Sequence, residues 1–219
     1  RVPPPSDPPL RLTLGVGVRQ LAKAQTRQRV RDAARHLFVG RGFDDTTTQQ
    51  VADEAQVAVG TLFQHASDKE DLLLLVVQEL LTTAVQQASA RGSSPDLLTD
   101  LTLMFGGLLE VCAALDQAAR PAVRAQWFGT GPNARAVQWL HETFLDQVAA
   151  RLERAQQAGQ LTDGADARLL SRSLSGLYQG VLLDWLWTDD DLGAAVVRLR
   201  AAFALQIIPL QTTTPDAPQ

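Results

Sequence analysis

The sequence predicts an all-α protein with an N-terminal three-helix head, a long connecting helix and a larger C-terminal helical domain. Apolar residues recur at the i, i+3, i+4 spacing of amphipathic helices along most of the 219 residues, and no segment alternates as a half-buried strand would. Glycine and proline gather at the breaks between these segments and at the two ends, where they stop helices.

The composition favours a folded, intracellular protein. The chain is 45% hydrophobic and 20% charged, which is enough apolar content for a buried core. The single cysteine, Cys112, excludes an internal disulfide and any cysteine-clustered zinc site, as expected for a cytoplasmic protein. The longest unbroken apolar run, Leu72 to Val77, has six residues, so we expect no membrane span. No basic segment followed by an apolar one opens the chain, so we expect no signal peptide.

Charge is distributed unevenly along the chain, although the net charge is only −4. Between Arg19 and Gly42 lie seven positive residues and one negative residue, whereas residues 43–219 hold 11 positive and 22 negative residues. A basic block on an acidic body indicates a local anionic partner, bound at the N-terminal end.

The head begins with a helix from Leu21 that ends at the glycines flanking Arg41. Its apolar stripe is Val30, Ala33, Ala34, Leu37 and Phe38. The prolines and glycines that precede it predict a disordered arm over 1–20. Threonines 46–48 cap a second short helix that ends near Ala55.

A tight turn at Gln56-Val57 leads into a third short helix, Ala58 to His65. Two short helices joined in this way predict a helix-turn-helix, in which the second helix presents small or polar residues to a DNA major groove. Ser67 to Glu70 start the long connecting helix, which is predicted to run to about Ala90. Five further helices are predicted over 96–118, 121–128, 133–157, 165–187 and 191–207.

About 50 residues of the head resemble the tetracycline-repressor (TetR) family of transcriptional regulators. The matching residues are Arg29 to Phe38, Gly42-Phe43, Thr46-Thr47, Val51-Ala52, Val57, Gly60 to Phe63, His65 and Ser67 to Leu72. The resemblance implies a helix-turn-helix domain over 21–67 and a ligand-binding and dimerisation domain over 68–208. The polar, proline-containing end of the chain predicts a flexible tail over 209–219. The resemblance also implies DNA contacts by Thr47, Thr48, Gln49, Val59, Gly60, Thr61, Phe63, Gln64, His65 and Lys69.

The sequence departs from the family pattern at three positions. Gln56 stands where the turn usually has glycine, Ala58 where a serine caps the third helix, and Phe63 where a tyrosine is usual. Arg27 and Arg29 are equal candidates for a further phosphate contact. These departures keep open a second reading, a helical small-molecule-binding or interaction protein that has lost specific DNA binding.

The last two predicted helices carry apolar stripes with small residues between them, which is typical of a helical dimer interface. An ordinary core within one chain is the alternative. The predicted interface residues are Leu170, Ser173, Leu174, Gly176, Leu177, Val181, Leu199 and Phe203.

Aromatic and polar residues of the C-terminal helices are candidates for a small-molecule pocket, although any helical core needs the same residues and the core is the stronger interpretation for each. They are Phe105, Trp127, Phe128, Trp139, His141 and Tyr178. No catalytic motif, metal site or cofactor site is predicted, because position 145 is Leu where a His-Glu-x-x-His zinc motif needs histidine. The interpretation is a homodimeric repressor of a palindromic operator, released by a small lipophilic effector. An activator and a regulator without an effector are the variants left open.

Overall fold

The computed structural model of this protein describes residues 11–90, 94, 96–188 and 190–212, with side chains from residue 17 onwards. Within those ranges nine α-helices follow one another and no β-strand forms, which confirms the predicted all-α fold. The helices are α1 Arg11–Gly40, α2 Thr48–Glu54, α3 Val59–Leu62, α4 Lys69–Ala90, α5 Leu97–Leu115, α6 Ala119–Phe128, α7 Pro132–Gln157, α8 Ala167–Trp187 and α9 Leu192–Ile207.

Local capping signals account for the helix ends in the C-terminal domain. The side chains of Asp96, Asp166 and Asp191 each accept hydrogen bonds from backbone N–H groups in the first turn of α5, α8 and α9. Pro132 occupies the first position of α7, where its missing N–H costs nothing. The helices therefore begin within a few residues of the predicted positions.

The first helix is longer than predicted. We expected a disordered arm over 1–20, but α1 begins at Arg11, and residues 1–10 lie outside the described part of the chain. All prolines of the N-terminal segment precede position 10, so nothing after them blocks helix formation. The arm prediction is therefore wrong for 11–20.

The head has its own apolar core beneath α1, α2 and α3. Its most buried side chains are at most 1% exposed: Val30, Ala34, Phe38, Val51, Ala52 and Leu62. Phe43, in the loop after α1, closes this core with its ring centre 5.2 Å from that of Phe38. The predicted apolar stripe of α1 is thus the face that holds α2 and α3.

The long helix α4 joins the head to the C-terminal domain. Leu72 to Val77 are buried on every face of the helix, because α1, α5, α6 and α7 all pack around α4. A continuous apolar run rather than a one-sided stripe is what such a surrounded helix requires.

The core of the C-terminal domain is centred on Phe105 of α5, which is fully buried. Its ring centre lies 4.9 Å from that of Phe144, 5.0 Å from that of Phe203 and 5.6 Å from that of Tyr178. The prediction of Phe105 as a pocket residue is therefore wrong, since aromatic rings occupy the space around it.

The tail is partly ordered, which corrects the predicted flexible segment over 209–219. Residues 208–210 form a 3-10 turn, and Gln211 forms an isolated antiparallel bridge with Leu161. The backbone N–H of Thr162 donates to the carbonyl of Leu210 at 2.9 Å. Residues 213–219 lie outside the described residues.

Among the described residues, three helical segments are long and apolar enough to cross a membrane by length and composition alone. The apolar stretch of Leu97–Phe128 is 67% buried inside the protein and that of Lys69–Ala90 is 44% buried, but only 22% of the stretch in Leu192–Leu210 is buried. The single chain therefore leaves much of the apolar surface of α9 uncovered.

Candidate DNA-binding surface and effector pocket

The turn between α2 and α3 is tight and strained. Gln56 adopts a left-handed backbone with φ of 56°, a conformation that disfavours side chains with a Cβ. The backbone N–H of Val57 donates to the carbonyl of Ala52 at 2.9 Å, which closes the turn. Ala58 makes no side-chain cap for α3, whereas Thr47 and Gln50 form a reciprocal capping box at the start of α2.

Most of the predicted DNA contacts are accessible at the surface of α2 and α3. Thr47, Gln49, Gly60, Phe63 and Gln64 are exposed, and Thr48, Val59 and Thr61 are half-buried. The Phe63 ring is 45% exposed, far more than the aromatic rings of the core. A Cβ at Gly60 would meet no other atom within 4 Å, so the backbone of α3 is open to close approach there.

His65 does not belong to this surface, which corrects its prediction as a DNA contact. It is 4% exposed, because α3 ends at Leu62 and the chain then turns inward. Its backbone carbonyl accepts a hydrogen bond from the side-chain amide of Asn133 at 2.9 Å. Burial lowers the pKa of His65, and the nearby charges of Arg27 and Lys23 lower it further.

Lys69 is the first residue of α4 and lies at the edge of the head. Its ammonium group lies 4.4 Å from the centre of the Phe43 ring and donates to the carbonyl of Asp44 at 3.2 Å. The side chain is half-buried, so its charge is held in place next to the N-terminus of α4. Helix N-termini and lysines both attract phosphate.

The two candidate arginines of α1 have different surroundings. Arg27 is half-buried, and its guanidinium donates to Gln78 at 2.8 Å and to Asn133 at 2.9 Å. Desolvation lowers the pKa of Arg27. Arg29 is exposed, as are Arg19 and Lys23. Arg27 therefore links α1 to α4 and α7. Arg29 is the better candidate for a phosphate contact.

The C-terminal domain encloses a small cavity of about 50 Å³ between α4, α5, α6, α7 and α8. None of the described residues that line it carries a formal charge at neutral pH. Burial lowers the pKa of His141, which favours its neutral form. Burial raises the pKa of the Cys112 thiol to about 12, so Cys112 is an uncharged packing residue.

A wider cleft of about 590 Å³ adjoins this cavity between α6, α7 and α8. The two spaces share Gln126, Trp127, His141 and Gln179 as lining residues. An ion pair of Arg172 with Glu142, 2.7 Å apart, lies in the wall of the cleft. The uncharged cavity thus adjoins a cleft that has charged side chains in its wall.

The remaining residues predicted for the pocket lie in three different places. Trp127, His141 and Tyr178 line the cavity, and Trp139 lines only the outer cleft. Phe128 is 81% exposed and faces a separate cleft beside Asp71 and Gly131, so its prediction as a residue of this pocket is wrong. Sequence reasoning missed the aliphatic and amide residues of the lining, whose periodicity resembles that of any core: Val77, Leu81, Gln126 and Gln179.

The predicted dimer stripe divides between the inside and the outside of the chain. Four of its residues are at most 5% exposed and pack in the chain's own core, so their prediction as interface residues is wrong: Leu170, Leu174, Leu199 and Phe203. Ser173 and Gly176 are exposed, and Leu177 and Val181 are half-buried. The uncovered apolar face of α8 and α9 consists of Leu169, Leu183, Trp187, Val197 and Leu205. Because α8 and α9 are apolar on two sides, periodicity alone did not distinguish these faces.

Within the described ranges, no group of three or more His, Cys, Asp or Glu is placed to hold a metal ion. What the geometry does provide is a helix-turn-helix surface beside a basic helix, joined to an all-helical domain with an internal cavity. This arrangement is typical of one class of protein, the DNA-binding regulators that carry a helix-turn-helix head on a larger helical domain.

Comparison with known proteins identifies the type of DNA-binding domain in the head. Residues 30–76 match the family model of bacterial regulatory proteins of the tetR family. The chain is 26% identical over 162 residues to the HTH-type transcriptional regulator UidR of Escherichia coli K12, covering 73% of this chain and 81% of UidR. It is 25% identical over 159 residues to the transcriptional repressor AcnR of Corynebacterium glutamicum, covering 72% of this chain and 80% of AcnR.

Among solved structures, Thermus thermophilus FadR superposes with a TM-score of 0.67 and 25% identity, over 88% of this chain and 99% of FadR. That protein is a TetR-family transcriptional repressor in complex with lauroyl-CoA. Residues 30–76 of the present chain are thus a DNA-binding domain of the tetR-family type, and the relatives named here are transcriptional regulators.

Proposed function

We propose that this protein is a dimeric, cytoplasmic transcriptional repressor that binds a palindromic DNA operator and is released by a small amphipathic effector. The observation that carries the proposal is the accessible helix-turn-helix surface within the segment that matches the tetR family model. AcnR and Thermus thermophilus FadR are both described as repressors, which favours repression over activation.

The DNA-binding part of the proposal rests on accessible side chains of the head. Thr61 on α3 and Gln64 in the turn after it can contact base edges, while Thr47 and Lys69 at two helix starts can contact phosphates. Arg19, Lys23 and Arg29 of α1 add exposed positive charge. A single α3 of four residues offers little surface, so specificity requires two heads on one DNA duplex.

The uncovered faces of α8 and α9 support a homodimer. Two copies that pack these faces together form a four-helix bundle and bury side chains such as Leu205 and Trp187, each 82% exposed in the single chain. At about 25 cal/mol per Å² of apolar surface, burying such side chains favours association. Two heads held at a fixed spacing then match successive major grooves about 34 Å apart.

The effector part of the proposal rests on the cavity and its adjoining cleft. An apolar group fits the uncharged cavity, and a polar group fits the cleft beside Arg172 and Glu142. The cavity of about 50 Å³ is small, since even a cavity of roughly 150 Å³ holds only a molecule such as benzene. Effector entry must therefore displace the surrounding helices, which links occupancy to the position of α4. Lauroyl-CoA, the ligand of Thermus thermophilus FadR, is a suitable first probe.

The experiment is selection of bound duplexes from random DNA by the purified protein, followed by affinity measurements at several salt concentrations. We expect a palindromic consensus and affinity that falls with salt. Lauroyl-CoA and shorter acyl thioesters are then tested for release. By reciprocity, an effector that weakens operator binding must itself bind more weakly when operator is present.

A helical ligand-binding protein without specific DNA binding is the second candidate. It is favoured by the strained Gln56 and by Ala58, which leaves α3 without a side-chain cap. A selection that returns no preferred duplex, with ligand binding intact, would establish this candidate in place of the repressor.

A further inference from the structure

A buried polar cluster joins the head to the C-terminal domain beside α3. Asp71 of α4 is 3% exposed and Asn133 of α7 is 1% exposed. The carboxylate of Asp71 accepts hydrogen bonds from the backbone N–H groups of Asn133 at 2.9 Å and Ala134 at 3.1 Å. It also accepts from the backbone N–H of Ser67 at 3.0 Å. Asp71 therefore caps α7 and holds the segment between α3 and α4.

The side chain of Asn133 connects α7 to three other parts of the chain. Its amide nitrogen donates to the carbonyl of His65 at 2.9 Å and to the backbone carbonyl of Asp71 at 3.1 Å. It also lies 3.1 Å from the Asp71 carboxylate. Its amide oxygen accepts from Arg27 of α1 at 2.9 Å. Asn133 is the only asparagine in the sequence.

The loop before α7 fits closely against Asp71. A Cβ at Gly131 would stand 2.2 Å from the Asp71 carboxylate, which leaves room for glycine only. Neither the Gly131 backbone nor the Asp71 side chain can move far without losing this contact. Because Asp71 and Asn133 are both buried, a broken hydrogen bond between them would leave a polar group without water to replace its partner.

The same helix lines the effector cavity. Leu140, His141 and Phe144 of α7 are lining residues, and Leu140 follows Asn133 by about two turns, or roughly 10 Å along the axis. The sequence predicts the long helix α4 as the connection between the two domains. The hydrogen bond from Asn133 to the His65 carbonyl is a further connection, and it ends at the last residue of the turn after α3.

We infer that Asn133 is a positioning residue for the turn 63–65, which follows α3. Its side-chain amide, held by Asp71, fixes the His65 carbonyl and so sets the orientation of α3 from the start of α7. The inference rests on the proposed function for its consequence in DNA binding. The restraint of the turn by Asn133 is a property of the free protein and is tested separately.

The test compares Asn133→Asp with Gln138→Glu, which makes the same amide-to-carboxylate change at an exposed position of α7. In Asn133→Asp the side chain keeps its size and an acceptor for Arg27 but loses both N–H donors. The first measurement is amide hydrogen exchange in the free protein. We expect the N–H groups of Gln64 and His65 to exchange at least tenfold faster in Asn133→Asp and at the wild-type rate in Gln138→Glu. Equal exchange in the two variants overturns the inference.

The second measurement is the ratio of operator affinity to affinity for an unrelated duplex. We expect Asn133→Asp to lower this ratio at least tenfold, whereas Gln138→Glu, with the same added charge, leaves it near the wild-type value. The exchanged pair Asp71→Asn with Asn133→Asp restores donor and acceptor between the two side chains. It gives no donor to the His65 carbonyl and removes one of the two acceptor oxygens that bind backbone N–H groups. It should recover part of the thermal stability without recovering the ratio.

If the exchanged pair recovers both stability and the ratio, the His65 contact is dispensable and the inference is wrong. If the wild-type protein prefers no duplex, the proposed function fails instead. Hydrogen exchange alone then decides whether Asn133 restrains the turn.

Discussion

The ammonium group of Lys69 lies 4.4 Å from the centre of the Phe43 ring, which joins the start of α4 to the loop that follows α1. Phe43 is only 4% exposed and packs against Phe38, so the lysine has a rigid support. A cation over an aromatic ring is stabilised by about 0.5–1 kcal/mol at an exposed site. The positive charge is therefore held at a defined place on the head before any DNA binds.

Replacing Lys69 with Ala should weaken binding to every duplex and reduce the salt dependence of the affinity by about one phosphate contact. Lys69→Arg, which keeps the charge, should retain most of the slope. Fluorescence anisotropy with one labelled duplex at several salt concentrations measures both. A slope that is the same in Lys69→Ala and in the wild type would mean that Lys69 contacts no phosphate.

Replacing Gln56 with Gly should stabilise the protein. A left-handed backbone costs a residue with a Cβ about 1–2 kcal/mol, and the extra freedom of unfolded glycine offsets about 0.5–1 kcal/mol of the gain. We expect the free energy of unfolding in urea to rise by about 0.5–1 kcal/mol. Gln86→Gly, at an exposed helical position of α4, should lower it by a similar amount. A loss of stability in both variants would contradict the strain at Gln56.

Charging the uncovered face of α9 should dissociate the dimer. Leu205 is 82% exposed in the single chain, so Leu205→Glu costs the monomer little but places a charge in the proposed seam. Light scattering should show the wild type as a dimer and the variant as a monomer. Leu21→Glu, at a 63% exposed site of the head, is the matched control and should remain dimeric.

A bulky side chain on α8 tests the same proposed interface. A Cβ at Gly176 meets no atom within 4 Å in the single chain, so Gly176→Trp can be accommodated by the fold of the monomer. We expect folded monomers by light scattering, because the indole would lie between the subunits. A dimer of wild-type size would place the interface elsewhere.

The buried ion pair of Arg151 with Asp100, with both side chains 7% exposed, should be costly to break from one side. Arg151→Met leaves the Asp100 carboxylate buried without its cation, and we expect a loss of about 3–5 kcal/mol in the free energy of unfolding. The double variant Arg151→Met, Asp100→Leu should lose much less. Arg168→Met, which breaks an exposed pair with Asp146, should cost at most about 1 kcal/mol.

Acid should destabilise the protein through the buried His65 and the half-buried His141. Burial lowers the pKa of both His141 and His65. Above pH 6.5 the folded and unfolded chains are both neutral at these sites, whereas below it the unfolded chain takes up protons first. Stability should therefore fall as the pH drops below 6.5 and level off once the folded histidines are also protonated. His141→Gln should reduce this loss in urea titrations at a series of pH values.

The sequence by itself determined the helical fold, the start and end of most helices, and the helix-turn-helix segment. These features depend on signals within a few residues of one another: caps such as Asp96 and Asp166, glycine and proline breaks, and the apolar stripe of α1. Trp127, His141 and Tyr178, which the sequence left open between a pocket and the core, line the cavity.

The tertiary structure alone decided which face of α8 is inside, that Phe105 belongs to the core, and that His65 points away from the DNA-binding surface. It also brought Asn133 to Asp71 and His65, 62 and 68 residues away in the sequence. An apolar side chain packs equally well in a core, a cavity wall or a subunit interface. A buried polar side chain is stable only beside its hydrogen-bonding partner, and neither choice is encoded in the residues next to it in the chain.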